Sequence, residues 1–293
     1  MSAHTSIIPR RSCLYMPGAN ERALEKAKSL PCDAVILDLE DAVAPEGKAE
    51  ARKRVAQAVL DGGFGHREVI VRINGFDTDW GEADLEAIAP TDPDAILVPK
   101  VQSADDIRLA DARIKAASDS PIDLWVMIEM PLAVLRIEAI AAASETTRLA
   151  AFVMGTNDLA KELNAAPTPD RLAFQSSLMA SLLAARAYGL TAIDGVYNDI
   201  ANTQGFLAES TQGQQLGFDG KTLIHPSQID PCNEVFTPLA ADVDHARAVI
   251  AAFASPENAG QGVIKVNGKM TELLHLAQAK SLVAIADAIA NRS

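Results

Sequence analysis

The sequence predicts an α/β fold, a (β/α)8 TIM barrel with a C-terminal helical extension, and three observations carry that reading. Short apolar runs recur along the chain, segments of helical periodicity separate them, and most runs lack the polar alternation of a half-solvated strand. The runs fall at residues 13–16, 34–39, 69–73, 95–98, 124–128, 150–154, 190–193 and 217–224. Eight such strands, each buried on both faces, match a barrel wrapped in helices. Between them Leu24, Ala27 and Leu30 share one helical face, as do Val55, Ala58 and Val59, and a long helical stretch runs over 170–188. Asn20 before Glu21, and Ser103 three residues ahead of Asp106, have the form of helix N-caps, which sets helix starts just after strands. The barrel domain occupies 1–230. The extension, 231–293, has a helix near 242–253, a Gly- and Asn-rich separator over 255–268 and a last helix starting near Thr271.

Composition narrows the function. The 293 residues carry 26 Lys and Arg against 39 Asp and Glu, a net charge of −13, which disfavours nucleic acid as a partner. Polar residues break every apolar stretch before the roughly 18 residues a bilayer requires, so the expectation is a soluble, cytoplasmic protein with no membrane partner. Cys13, Cys32 and Cys232 form no CxxC pair, and His4, His66, His225, His245 and His275 show no HxxxH or HExxH spacing. With no GxSxG elbow either, zinc-hydrolase and serine-hydrolase readings are weak.

In such a barrel the chemistry belongs at the strand C-terminal ends. The second strand ends in Asp38, Glu40 and Asp41, the third carries Arg72 and Asn74, and the fourth ends at Lys100. The fifth ends at Glu129, the sixth runs into Gly155-Thr156-Asn157-Asp158, the seventh ends at Asp194 and the eighth at His225. Acids crowded on one rim repel one another unless a cation lies between them, and oxygen donors suit Mg²⁺, with Mn²⁺ as a substitute. Glu129 and Asp158 are the candidate metal ligands, with Glu40 and Asp41 placed to hold metal-bound waters; strand-end acids that merely cap helices are the alternative. Arg72 either pairs with neighbouring acids or faces an anionic substrate oxygen. The first thirty residues gather Arg10, Arg11, Arg22, Lys26 and Lys28 against Glu21 and Glu25. Arg22 and Lys26 share a helix face beside the barrel mouth, which suits either a phosphate-bearing ligand or plain solvation.

The segments RRSCLYMPGANERALEKA, LDLEDAVAPEGKAEAR, VRIN, LVPKV, MIEMP, GTNDLA and GFDGKTLIHPSQI, in this order, resemble the citrate lyase β-subunit-like CoA-ester lyases of the HpcH/HpaI aldolase superfamily. The N-terminal half is most similar to malyl-CoA lyase and malyl-CoA thioesterase members. The resemblance implies Mg²⁺-dependent cleavage of a 3-hydroxyacyl-CoA such as (S)-malyl-CoA, by carbon–carbon lysis to acetyl-CoA and glyoxylate or by hydrolysis to malate and CoA. It makes Glu129 and Asp158 the metal ligands and Arg72 the oxyanion stabiliser, beside which Glu40 and Asp41 of the rim stand as further catalytic candidates. Arg22 and Lys26, with Tyr15, become the CoA contacts. It also implies a homotrimer or homohexamer in which a tail carboxylate, here Glu272, acts in a neighbouring subunit. The chain departs from the family pattern at Glu272, where an aspartate is common, and at Met130, where a small hydroxyl residue is expected. A citrate lyase β subunit acting on citryl-acyl-carrier protein, a citramalyl-CoA lyase and a non-catalytic metabolite-binding barrel are the alternatives.

Overall fold

The computed structural model describes residues 7–292, which leaves His4 outside. Within Arg10–Val235, one of two compact units, eight parallel strands close into a barrel in sequence order. They are β1 (Ser12–Pro17), β2 (Ala34–Asp38), β3 (Glu68–Arg72), β4 (Ala95–Val98), β5 (Asp123–Ile128), β6 (Leu149–Met154), β7 (Thr191–Asp194) and β8 (Gly220–Leu223). The helix Glu21–Ala27 starts at Asn20, whose side chain accepts the Ala23 N–H, and Ala104–Ala117 starts at a reciprocal Ser103–Asp106 capping box.

Successive strand residues point alternately inward and outward, so one parity fills the lumen. Cys13, Ala34, Ile36, Ile70, Ala95, Leu97, Trp125, Met127, Val153 and Ile193 pack there as one apolar cluster. Continuing the same parity to the strand ends turns Asp38, Arg72 and Glu129 inward at the top, and Glu68 and Thr191 at the bottom. The bottom layer is closed by Arg10, whose guanidinium grips Glu68 at 2.6 and 2.7 Å, reaches Thr191 Oγ1 at 2.8 Å and lies 4.9 Å from the centre of the Trp125 ring.

The β7–β8 seam is the shortest, with Ile193↔Gly220 and Asp194↔Lys221 as its register positions. Lys221 and Asp194 face the helix layer and are fully buried. Lys221 Nζ donates to Gly195 O at 2.5 Å and Glu209 Oε1 at 2.7 Å, and lies 3.2 Å from Asp194 Oδ2. Arg171 Nη1 holds both Asp194 oxygens at 2.7 and 2.8 Å.

Three expectations need correction. Asp194 is no rim acid, because Arg171 and Lys221 neutralise it behind the strands. The helix expected from residue 170 spans Gln175–Ala187 instead, since Arg171 takes a left-handed φ of 52° as it turns inward. The N-terminal positive cluster is divided: Arg10 pairs with Glu68 and Arg11 with Asp33 at the strand starts, opposite the rim, while Lys28 makes a surface pair with Glu25 and Arg22 and Lys26 stay exposed.

The second unit, which includes the segment from Phe236 onward, holds helices Ala240–Ala254 and Leu273–Ala290 and an antiparallel hairpin, β9 (Val263–Val266) and β10 (Lys269–Glu272). Ala246, Val249, Ile264, Val266 and Ala279 form its small core. The two helices stand where the sequence reading put them, and the hairpin adds two short strands to the Gly- and Asn-rich separator between them. Asn267-Gly268, both at positive φ (46° and 81°), makes the tight turn, and the alternation of exposed Val263 and Lys265 with buried Ile264 and Val266 is a strand signal. Helix Leu273–Ala290 is long and apolar enough, with mean hydropathy 1.4, to cross a membrane by length and composition, although Lys280 and Asp287 interrupt it. Leu282 and Val283 of this helix pack against the small core, while Leu273 and Leu274 are exposed.

Candidate functional site

Neighbouring register sets the first pair. Asp38 and Arg72 are direct cross-strand partners, both turned into the lumen, and the guanidinium takes the carboxylate in a two-pronged grip of 2.6 and 2.7 Å. The Tyr15 ring lies 4.7 Å from the guanidinium carbon and supports it from the lumen side. Asp38 also accepts the N–H groups of Glu40 (2.9 Å) and Ala42 (3.1 Å), so the turn after β2 is pinned to the barrel. Lys48 clamps the same turn, donating to Leu39 O, Glu40 O and Asn74 Oδ1 at 2.7–2.8 Å. Arg72 Nη1 remains directed to the mouth, 2.8 Å from Glu40 Oε2 and 3.4 Å from the exposed Asp41 carboxylate.

A second group lies across the mouth. Lys100, just beyond β4, holds a left-handed φ of 57°, a conformation unusual for a residue with a side chain. Its N–H donates to Glu129 Oε1 at 2.8 Å. Its Nζ sits 2.8 Å from Asp158, 3.7 Å from Glu129 and 3.8 Å from Glu40. Asp158 stands in the first turn of helix Thr156–Leu163. Gly155, ahead of that helix, leaves the space Glu129 uses: a Cβ there would come within 2.5 Å of Glu129 Oε2.

Burial pushes Glu40 up to about 8, against the pull of Arg72, and Glu129 up to about 7, against the pull of Lys100. Burial would lower Lys100, but Glu129, Asp158 and Glu40 together raise it. Arg72 is engaged by Asp38, so Glu40, Asp41, Glu129 and Asp158 share only its remaining Nη1 and Lys100 as cationic neighbours. Glu40 Oε2 is buried with no aligned hydrogen-bond donor, although Arg72 Nη1 is close. A hard divalent cation fits this deficit. Glu129 and Asp158 can supply two carboxylate oxygens, and among the described residues no three His, Cys, Asp or Glu side chains form a metal-ligand group. Mg²⁺ characteristically takes one or two carboxylates and completes its sphere with water and substrate oxygens.

The rim thus brings together Glu40, Asp41, Arg72, Glu129 and Asp158, with Lys100 at its centre. It does not include Tyr15 among exposed ligand contacts: that ring is in the lumen, whereas Arg22 and Lys26 are exposed on helix Glu21–Ala27. Glu272 belongs to the second unit, exposed at the start of helix Leu273–Ala290, where its N–H donates to His275 Nδ1 at 2.9 Å. His225 turns to Ser227, 2.8 Å away, and Met130 is the N-cap residue of helix Pro131–Leu135. Sequence reasoning missed Lys100 as the hub, Asp38 as the Arg72 anchor and Lys48 as the clamp. Lumen parity exposes Asp38; the direction of the two lysine side chains has no local sequence signal. A side cavity of about 140 Å³ adjoins Lys100 and is lined also by Phe76, Asp77, Val98 and Gln102.

The chain has counterparts among known proteins. The family model for HpcH/HpaI aldolase/citrate lyase matches residues 11–226. Over 282 residues the chain is 51% identical to a (3S)-malyl-CoA thioesterase of Cereibacter sphaeroides, with 96% of each chain covered. It is 38% identical over 269 residues to citrate lyase subunit beta of Escherichia coli, covering 90% of this chain and 88% of the relative. The crystal structure of the protein CitE from Mycobacterium tuberculosis, in complex with magnesium, acetoacetate and coenzyme A, matches with a TM-score of 0.76 at 29% identity, covering 94% of this chain and 97% of that one. With the model spanning the whole barrel and identity sustained over nearly the full length, the chain belongs to the HpcH/HpaI aldolase/citrate lyase family.

Proposed function

We propose that this protein is a Mg²⁺-dependent enzyme acting on 3-hydroxyacyl-CoA thioesters, (3S)-malyl-CoA foremost. The observation that carries the reading is the convergence of Glu129 and Asp158 on one point at Lys100, with Glu40 linking that point to the mouth-facing Nη1 of Arg72. Similarity to a malyl-CoA thioesterase supports hydrolysis to malate and CoA. Similarity to citrate lyase subunit beta supports carbon–carbon cleavage to acetyl-CoA and glyoxylate as the second reading.

Bound Mg²⁺, held by Glu129 and Asp158, would supply Lewis-acid charge at the substrate oxygens. Arg72 is the donor for oxygen charge that develops at the thioester, held in aim by Asp38 below and Tyr15 behind. Glu40, with its proton affinity raised to about 8, exchanges a proton near neutrality and, with Asp41, orients water at the mouth. In hydrolysis the water oxygen bonds to the thioester carbon, the C–S bond breaks, and the thiolate leaves with a proton. Arg22 and Lys26 lie exposed on the helix that follows β1, as contacts for CoA phosphates. The test is a product assay: purified protein with Mg²⁺ and (3S)-malyl-CoA is expected to yield malate and free CoA, and EDTA to stop it. Glyoxylate with acetyl-CoA would establish the lyase, and no turnover of either kind would overturn the substrate assignment.

The same reading makes the protein a cytoplasmic homotrimer or homohexamer, in which the 231–293 extension delivers Glu272 as general base to a neighbouring barrel. The exposed Leu273 and Leu274 beside Glu272 support a partner surface there. Mixing Arg72→Ala with Glu272→Ala subunits is expected to restore activity that neither variant has alone. Well-mixed hybrids without recovery would overturn the shared site.

A further inference from the structure

We propose that Lys100 is a built-in competitor for the divalent cation: its ammonium neutralises the Glu129–Asp158–Glu40 cluster and must be displaced for a metal ion to bind. This rests on the reading of Glu129 and Asp158 as the cation-holding pair.

Three observations carry it. First, the ammonium sits where the three carboxylates meet, 2.8 Å from Asp158, 3.7 Å from Glu129 and 3.8 Å from Glu40. Two cations drawn to the same oxygens compete, since each reduces the field that attracts the other. Second, the residue has two separate grips on the pair. The backbone N–H holds Glu129 Oε1 at 2.8 Å, so the acid stays in place when the side chain leaves. The positive φ of 57° is what allows N–H and ammonium to converge on one cluster, and non-glycine residues hold such conformations where the surroundings enforce them. Third, the side chain has somewhere to go: Lys100 also lines the cavity of about 140 Å³ that extends past Asp77 and Gln102. The exchange is one of charge, a monovalent ammonium out and a divalent cation in, with no bond made or broken within the protein. It keeps the cluster compensated throughout and sets the cation affinity lower than two free carboxylates would give.

The experiment is a Mn²⁺ titration followed by electron paramagnetic resonance on the wild type, Lys100→Met, Lys100→Arg and Glu129→Gln. Lys100→Met keeps the backbone N–H and removes the charge. It is expected to bind Mn²⁺ about tenfold more tightly or better, as loss of a unit charge at this range predicts. Lys100→Arg should stay near the wild type. Lys100→Gln repeats the charge removal with a polar side chain if the methionine variant folds poorly. Affinity that is unchanged or weaker in the neutral variants overturns the proposal, because a residue that merely positions the ligands would weaken binding when removed. Glu129→Gln separates the two levels: if it leaves Mn²⁺ binding untouched, the cation pair itself is wrongly assigned. Weakened Glu129→Gln binding without tightening in Lys100→Met rejects the competitor role alone.

Discussion

Glu129→Gln is expected to lower turnover of (3S)-malyl-CoA by roughly a thousandfold while leaving the fold intact. The substitution changes little in shape. Glutamine Oε1 can still accept the Lys100 N–H, now at 2.8 Å, and the space above Gly155 accommodates the same number of heavy atoms. What is lost is one of the two negative charges proposed to hold the cation. Lewis-acid stabilisation is worth several kcal/mol, and each 1.36 kcal/mol is a factor of ten, so a loss of about 4 kcal/mol corresponds to that thousandfold. The measurement is kcat at saturating Mg²⁺ together with the urea midpoint. A variant that folds normally and retains activity within a few-fold would remove Glu129 from the chemistry.

Lys221→Met is expected to cost about 3–5 kcal/mol of stability, the usual result of breaking a buried ion pair from one side. Methionine fills the volume, so the effect isolates the charge. It leaves Glu209 without its 2.7 Å partner and Gly195 O without its donor, while Asp194 keeps Arg171 and the Gly195 N–H. The site matters because Lys221 and Asp194 tie the short β7–β8 seam, and a closed sheet has no free edge to absorb a local opening. Urea unfolding, followed by the fluorescence of Trp125 and Trp80, should show a lower midpoint at unchanged slope. Adding Glu209→Gln should recover part of the loss, since the orphaned charge goes with it. A midpoint shift equivalent to less than about 0.5 kcal/mol, the scale of a neutral surface change, would mean the network adds nothing to closure.

The strands were legible in the sequence because lumen and helix layer both bury them, so β2 reads AVILD and β4 reads AILV with few polar interruptions. Their strand-end acids could therefore be placed on one rim without knowledge of packing. What could not be read was which side of the strand wall each charge ends on. Asp194 and Asp38 both close a strand, yet one turns outward to Lys221 and Arg171 and the other inward to Arg72. The period of two decides between them, and it had to be anchored on the apolar lumen first. Lys100 was visible only as a strand-end cation, because its role depends on a backbone turn that nothing in LVPKV announces. The hairpin at Asn267-Gly268 was the reverse case: its turn signal is strong and local, but the surrounding glycines and asparagines read as a linker.

Because the lumen positions of β5 alternate from Trp125 through Met127 to Glu129, the chemistry and the core share one reading frame. A substitution along that strand changes a side chain and its neighbours. A deletion of one residue between Trp125 and Glu129 exchanges the two faces: Glu129 would turn into the helix layer and Ile128 into the mouth. Length variation in this lineage should therefore gather in the loops and in the extension, while the strands change by replacement only.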